Sequence, residues 1–184
     1  MHQKSINERC LVLLKADCVK RKLIGTFIAR IEAANLSVVA LHMLIPTETL
    51  IARHYKEDPE WLRNAGQKKI DHYKEKGIEI RETATEIGQQ IRANLISSMA
   101  GKKVLAMVIQ GPNSVRFLRK LAGATEPLSA DPGTLRGSFS SDSYEIADIE
   151  SRTIQNLIHV SDSFETAKKE IEMWFPEGLY EKQD

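Results

Sequence analysis

The sequence lacks the features that are typical of membrane, secreted and nucleic-acid-binding proteins. Its apolar runs at residues 11–14 and 38–41 are far shorter than the roughly 18 residues that a membrane span needs. Lys and Arg number 26 and Asp and Glu number 25, so no overall field attracts nucleic acid or an anionic membrane. The polar first nine residues have no apolar core of a secretory signal. We therefore expect a soluble cytoplasmic protein with neither membrane nor nucleic acid as a partner.

Cysteine is also scarce. The chain of 184 residues has two, Cys10 and Cys18, and their spacing fits no zinc or redox motif. Both stand beside apolar residues, which predicts small core side chains in a reducing compartment.

The familiar nucleotide-binding motifs are absent too. There is no G-x-G-x-x-G, and Gly101-Lys102-Lys103 lacks the upstream glycine and the following Ser or Thr of a P-loop. A Walker-type ATPase is excluded.

Hydrophobic periodicity nevertheless indicates alternating strands and helices. Short apolar segments predict strands at residues 10–15, 37–45, 104–109 and 153–160. Helical spacing predicts helices at 21–34, from 47, two or three between 58 and 100, at 113–121, and after the Ser-Asp-Ser cap at 161–163. Between residues 124 and 151 the periodicity stops and Gly, Pro, Ser, Thr and Asp dominate, which predicts a long loop.

This order of elements predicts an α+β fold. It is the split βαβ or ferredoxin-like arrangement, an antiparallel sheet with helices on one face, extended by a helical hairpin and a long loop. The length favours a single domain over residues 1–184.

A small group of polar residues lies near predicted strand ends or in the long loop: Lys15, Arg119, Thr125, Arg136, Asn156 and His159. His159 ends an apolar strand, where it is either a partly buried structural histidine or a functional one. Arg136 lies between glycines in a tight turn, where it either presents its planar fork to phosphate oxygens or is an ordinary solvated side chain. Lys15 is likewise a phosphate ligand or a surface end of the strand.

The motifs taken in order resemble those of the nucleoside diphosphate kinase family. They are RCLVLLKADCVKRKLIG, ARHY, LAMVIQG, LRKLAGATEPLSADPGTLRGSF, NLIHVSDS and TAKKEIEMWF. The resemblance implies a kinase that moves the γ-phosphate of ATP to a nucleoside diphosphate. His159 would be the nucleophile of a ping-pong transfer, Glu170 would bind its other ring nitrogen, and Ser161 would steady that glutamate.

The resemblance also implies a set of nucleotide contacts. Lys15, Arg119 and Arg136 would neutralise the phosphates, and Tyr55 and Thr125 would add hydrogen bonds. Lys15 and Asn156 would also contact the ribose, and the base would stack on an aromatic side chain. Trp61 is a candidate for that aromatic, and Leu95 for a second wall of the base pocket. Mg²⁺ would arrive on the nucleotide phosphates without a direct protein ligand, and the protein would be a homo-oligomer, a hexamer or tetramer.

Two insertions relative to the family pattern leave an alternative open. They lie within residues 58–100 and 140–153. If they obstruct the site, the protein is a divergent nucleotide-binding or regulatory member with weak or no phosphotransfer. The second insertion carries four acidic residues, which we expect to narrow access for triphosphates by charge repulsion: Asp142, Glu145, Asp148 and Glu150.

Overall fold

A computed structural model describes residues 7–179. It divides the chain into two compact units, a sheet unit of residues 1–45 and 102–184 and a helical unit of residues 46–101. The division reflects which residues pack together most densely. It does not test the single domain predicted over residues 1–184, which stays a prediction.

The sheet unit contains four strands, β1 (Asn7–Leu14), β2 (Ser37–Leu44), β3 (Val104–Pro112) and β4 (Ile158–Val160). They form one antiparallel sheet in the order β2-β3-β1-β4. The predicted α+β, ferredoxin-like fold is confirmed. Central strands β1 and β3 are buried on both faces, which is why they read as unbroken apolar runs.

The described residues contain nine helices. They are α1 (Ala16–Lys20), α2 (Ile24–Glu32), α3 (Glu48–His54), α4 (Pro59–Glu75), α5 (Ala84–Met99), α6 (Ser114–Ala122), α7 (Leu135–Phe139), α8 (Tyr144–Ile149) and α9 (Phe164–Trp174).

The core of the sheet unit lies between one face of the sheet and two helices. Its strand residues are Cys10, Val12, Leu14, Leu105, Met107 and Ile109, and its helical residues include Phe27, Ile31, Val115 and Leu118. Cys10 and Cys18 are fully buried free thiols, which confirms their prediction as core residues. Burial raises the pKa of both thiols to about 12, so neither ionises near neutral pH.

The predicted helix at 21–34 is wrong at its start. The helix in this stretch, α2, begins only at Ile24, and α1 precedes it at Ala16–Lys20. Lys22, between the two helices, has a left-handed φ of 59°. Asn35, the predicted stop, has the same left-handed φ of 59°, a conformation that Asn tolerates better than most residues.

Two further predictions need correction. The strand predicted at 153–160 is limited to β4, because Leu157 takes a positive φ of 68° and ends the extended backbone. The loop predicted at 124–151 contains α7 and α8. Each is short and begins at a hydroxyl cap, Thr134 for α7 and Ser143 for α8, so neither carries enough periodicity to be recognised in the sequence.

The helical unit consists of α3, α4 and α5, and α4 and α5 form the predicted hairpin. Their backbones approach closely where a glycine faces the partner helix: a Cβ on Gly66 would lie 1.8 Å from Ala84 O, and one on Gly88 would lie 2.0 Å from Leu62 O. Asp58 caps α4, and a capping box of Thr83 and Glu86 begins α5. Among the helices of residues 7–179, none has the length and apolarity to cross a membrane.

Candidate active site

A histidine, a glutamate and a serine form a hydrogen-bonded chain in the sheet unit. His159 Nε2 lies 3.0 Å and 3.2 Å from the two carboxylate oxygens of Glu170. Ser161 Oγ donates to Glu170 Oε2 at 2.5 Å. Glu170 and Ser161 are buried, and 21% of the His159 side chain is exposed. A buried carboxylate thus holds one nitrogen of a ring that solvent can reach.

The sheet and helix α9 fix the backbone of these three residues. His159 pairs with Leu13 across β1 and β4, so both side chains lie on the same face of the sheet. Leu11 N donates to Ser161 Oγ at 3.2 Å, and Ser161 N donates to Leu11 O at 3.2 Å. Glu170 belongs to α9, which packs against β1 and begins at the Ser163 cap. Each group therefore sits on an element that the core holds in place.

A lysine and an asparagine form a second polar pair. Lys15 follows β1, is buried, and donates from Nζ to Asn156 Oδ1 at 2.8 Å. Asn156 is also buried, and its Nδ2 donates to Thr125 O at 2.9 Å. Burial lowers the pKa of Lys15 to about 8; the Asp17 carboxylate opposes that shift and the Arg136 charge adds to it.

The Arg136 guanidinium is held by backbone carbonyls. Its Nη2 donates to Ile158 O at 2.7 Å, its Nε to Asn156 O at 3.1 Å, and its Nη1 to Gly123 O at 2.9 Å and Ala124 O at 3.2 Å. These bonds tie the Pro-Gly-Thr turn to the residues before His159. The sequence predicts that Arg136 is either a phosphate ligand or a solvated loop residue. In the structure its guanidinium also holds the adjoining loops together.

The remaining predicted residues lie on three elements. Arg119 is exposed in the last turn of α6, and Thr125 is exposed just after that helix. Tyr55, Trp61 and Leu95 belong to the helical unit, at the end of α3, in α4 and in α5 respectively. Within that unit the Tyr55 and Trp61 rings are 6.4 Å apart between centroids, and Tyr55 OH donates to Met99 Sδ at 3.7 Å.

Sequence reasoning missed two sets of contacts that shape the site. Asp17 accepts the amide of Leu157 on Oδ2 at 3.0 Å, and a Lys-x-Asp spacing after a buried strand is the only signal for it. Asp142 and Arg152, both within the second insertion, form an ion pair at 2.6 Å beside Gln155. Nothing in their separation of ten residues predicts that pair.

The site has the chemistry of a phosphoryl acceptor. The carboxylate of Glu170 orients a ring nitrogen of His159. The buried ammonium group of Lys15 and the guanidinium of Arg136 lie in the adjoining loops. The described carboxylates next to these groups already bind protein donors. Glu170 binds Ser161 and His159, and Asp17 binds the amides of Cys18 and Leu157. Such a set of groups suits the anionic oxygens of a phosphate.

Comparison with known proteins agrees with this chemistry. The family model "Nucleoside diphosphate kinase" matches residues 8–64 and 66–179. A nucleoside diphosphate kinase of Pyrobaculum aerophilum is 42% identical over 175 residues, which cover 92% of this chain and 96% of the relative.

Two solved structures are similar over nearly the whole chain. An NDP kinase from Pyrobaculum aerophilum superposes with a TM-score of 0.87 at 41% identity, covering 92% of this chain and 96% of that one. A nucleoside-diphosphate kinase from Borrelia burgdorferi, a transition-state mimic with bound vanadate and ADP, superposes with a TM-score of 0.79 at 32% identity, covering 97% and 94%. This chain belongs to the nucleoside diphosphate kinase family and is a phosphotransferase.

Proposed function

We propose that the protein transfers the γ-phosphate of ATP to nucleoside diphosphates through a phosphohistidine on Nδ1 of His159. The observation that carries this proposal is the contact between His159 Nε2 and Glu170. A proton on Nε2 that is donated to the carboxylate leaves the lone pair of the ring on Nδ1, which makes Nδ1 the nucleophile.

The transfer then takes two balanced steps. In the first, Nδ1 attacks the γ-phosphorus, an N–P bond forms, the bond from phosphorus to the β,γ-bridging oxygen breaks, and ADP leaves with that oxygen. The ring becomes positively charged, and the Glu170 carboxylate stabilises it. In the second step a terminal oxygen of the acceptor diphosphate attacks phosphorus and the N–P bond breaks. The Borrelia burgdorferi relative, solved with vanadate and ADP, supports this chemistry by similarity.

The phosphate and sugar contacts follow the family resemblance. Lys15, Arg119 and Arg136 would neutralise phosphate oxygens, with hydrogen bonds from Tyr55 and Thr125. Lys15 and Asn156, joined at 2.8 Å, would meet the ribose hydroxyls together. Their burial supports this assignment, because a buried, directed donor loses little entropy when it binds a ligand.

The base would bind by stacking, with Trp61 as the candidate aromatic and Leu95 as a second wall. Stacking contributes about 1–3 kcal/mol for any base, so we expect broad base tolerance. Mg²⁺ would enter as part of the nucleotide substrate, since the carboxylates of Glu170 and Asp17 are engaged with protein donors.

We also propose a cytoplasmic homo-oligomer, a hexamer or tetramer. The two free buried thiols support a reducing compartment. Strand β2 supports assembly, because it is at the edge of the sheet and its Leu41 and Met43, like Ile45 just after it, are about half exposed. An apolar edge strand of this kind readily pairs with another chain.

The deciding experiment mixes the purified protein with Mg²⁺ and γ-labelled ATP without an acceptor. We expect acid-labile, base-stable label on the protein, none on His159→Ala, and discharge of the label by GDP or CDP. An unlabelled parent that still binds nucleotide would overturn the proposal in favour of a regulatory member of the family.

A further inference from the structure

The residues just before His159 adopt a conformation that the local sequence does not favour. Leu157 has a φ of 68°, which is rare for a branched residue. Ile158 N donates to Asn156 O at 2.7 Å, which closes a tight turn around it. A backbone of this kind persists only where the surroundings hold it.

Two of its anchors come from elements that carry family motifs. On one side, Lys15 N donates to Leu157 O at 2.9 Å and Asp17 accepts from Leu157 N at 3.0 Å. On another, Arg136 donates to the carbonyls of Asn156 and Ile158. These contacts hold the turn from Asn156 onward.

A third anchor comes from the second insertion and holds the residue before Asn156. Asp142 Oδ2 accepts from Gln155 N at 2.6 Å, and Ser140 Oγ donates to Gln155 O at 3.1 Å. Both polar groups of the Gln155 backbone are therefore bonded to the insertion. These two hydrogen bonds therefore fix the position of the backbone that leads into Asn156.

Arg152 holds Asp142 in that position. Its Nη1 and Nη2 donate to the two carboxylate oxygens at 2.6 Å and 2.8 Å, which is the two-pronged geometry that fixes a carboxylate in orientation as well as distance. Only 10% of the Asp142 side chain and 23% of Arg152 are exposed. Partial burial by itself raises the pKa of Asp142, but the hydrogen bonds from Arg152 and Gln155 outweigh it and lower that pKa below its usual range.

The same contacts revise the expectation of an acidic barrier. Arg152 also pairs through Nε with Glu150 at 2.5 Å, so one arginine contacts two of the four acidic side chains and offsets one of their two negative charges. The segment also contacts the site directly, through the backbone of Gln155, and the repulsion of triphosphates stays a prediction.

We propose that the ion pair between Asp142 and Arg152 is a positioning device that fixes Asn156, and through it Lys15, for nucleotide binding. This inference rests on the proposed function, in which Asn156 and Lys15 contact the nucleotide. Asp142 and Arg152 are positioning residues, since they act through Gln155. The His159–Glu170–Ser161 chain is held separately by β1 and α9, so loss of the ion pair should weaken binding and leave the chemical step nearly intact.

The test compares Asp142→Asn, Arg152→Ala and Arg152→Lys with the matched control Glu150→Gln. The control removes the other carboxylate bound to Arg152, which is 56% exposed and has no contact with Gln155 among the hydrogen bonds described. The measurements are KM and kcat with Mg-ATP and GDP, the Kd of Mg-ADP by calorimetry, and Tm.

For Arg152→Ala we expect KM and Kd to rise about tenfold while kcat changes less than about threefold, the split that marks lost binding rather than lost chemistry. Arg152→Lys should recover part of the affinity and Glu150→Gln should match the parent. Unchanged affinity in Arg152→Ala and Asp142→Asn, or an equal loss in Glu150→Gln that follows Tm, would overturn the inference.

The Kd measurement separates this inference from the proposed function. If the parent binds Mg-ADP but forms no phosphohistidine, the transfer proposal fails, and the Kd values of the variants still decide the positioning role. If the parent binds no nucleotide, both fail. Should Arg152→Ala not fold, Arg152→Lys and Asp142→Asn decide the outcome.

Discussion

Some side chains of the candidate site are predicted to bind the nucleotide and also form hydrogen bonds within the protein. Arg136 is a phosphate-ligand candidate and also ties four carbonyl oxygens together. Lys15 is a buried ammonium whose lowered pKa brings its deprotonation close to neutral pH. A side chain with both roles cannot be judged from its residue type, because the second role depends on contacts with distant parts of the chain.

The pKa of Lys15 predicts a pH dependence of nucleotide capture. Below about 8 the amine is charged and attracts phosphate; as the pH rises through about 8 it loses its proton, and kcat/KM should fall. Lys15→Arg keeps its charge over this range, so its kcat/KM, whatever its level, should stay flat. An equal fall in both proteins would contradict the prediction.

The lowered pKa of Lys15 also makes the free energy of unfolding depend on pH. The folded pKa of about 8 is below the ordinary value of 10.5, so between these pH values the unfolded chain binds more protons than the folded one. The contribution of Lys15 to the free energy of unfolding therefore rises with pH across that window.

Removal of the Ser161 hydroxyl should slow the chemistry. In Ser161→Ala the Glu170 carboxylate and the amide of Leu11 each lose a buried partner, and a hydrogen bond to a charged group is worth about 1.5–3 kcal/mol. We expect histidine labelling to slow by about tenfold or more, measured by rapid quench. Ser163→Ala, which removes the α9 cap, should cost about 1 kcal/mol of stability but leave the labelling rate unchanged. Equal slowing in both variants would make the role of Ser161 merely structural.

At the scale of elements, close packing and caps define what the sequence leaves ambiguous. The hairpin of α4 and α5 follows from apolar spacing and from the caps at Asp58 and Thr83, all of which are local signals. Its tight packing depends on glycines that only the paired helices explain, since a Cβ at Gly88 would meet the Leu62 carbonyl.

Gly88→Ala should therefore destabilise the helical unit. The added Cβ would lie 2.0 Å from Leu62 O. The shifts that remove such an overlap lower the free energy of unfolding by about 1–3 kcal/mol. Gly25→Ala in α2 is the matched control: its Cβ would meet no atom within 4 Å, so we expect a gain of up to about 0.5–1 kcal/mol from helix propensity. Urea denaturation measures both changes, and a neutral Gly88→Ala would mean that the helices separate easily.

At the scale of the whole molecule, the exposed edge of the sheet favours assembly. The edge strand β2 carries apolar side chains that residues 7–179 leave partly uncovered, with Leu41 57% and Met43 48% exposed. A monomer with such an edge risks uncontrolled association, and a defined oligomer removes that risk.

The double variant Leu41→Lys, Met43→Lys should reduce the size of the assembly. Both side chains are exposed in the single chain, so the substitutions should leave its fold intact while they oppose pairing at β2. Sedimentation velocity measures the size. Ile78→Lys, at a half-exposed apolar position of the helical unit, is the control and should keep the parent size. A monomeric parent would contradict the proposed oligomer.

Much of this protein is determined by local signals in its sequence. The central strands, the α4–α5 hairpin, the cap of α9 and the candidates His159 and Lys15 are all recognisable, because burial on both faces, capping hydroxyls and motif spacing leave a mark within a few residues. The family pattern then links those residues into one site.

Other features were decided only by the tertiary structure. The shortness of β4, the break at Lys22, the carbonyl contacts of Arg136 and the pairing of Asp142 with Arg152 join segments that are distant in sequence or depend on left-handed residues. Hydrophobic periodicity indicates which face of a helix or strand is apolar. The partner of a polar side chain depends instead on which residues the fold brings close to it. For this reason the sequence identifies the reacting groups, and the tertiary structure alone determines what holds them.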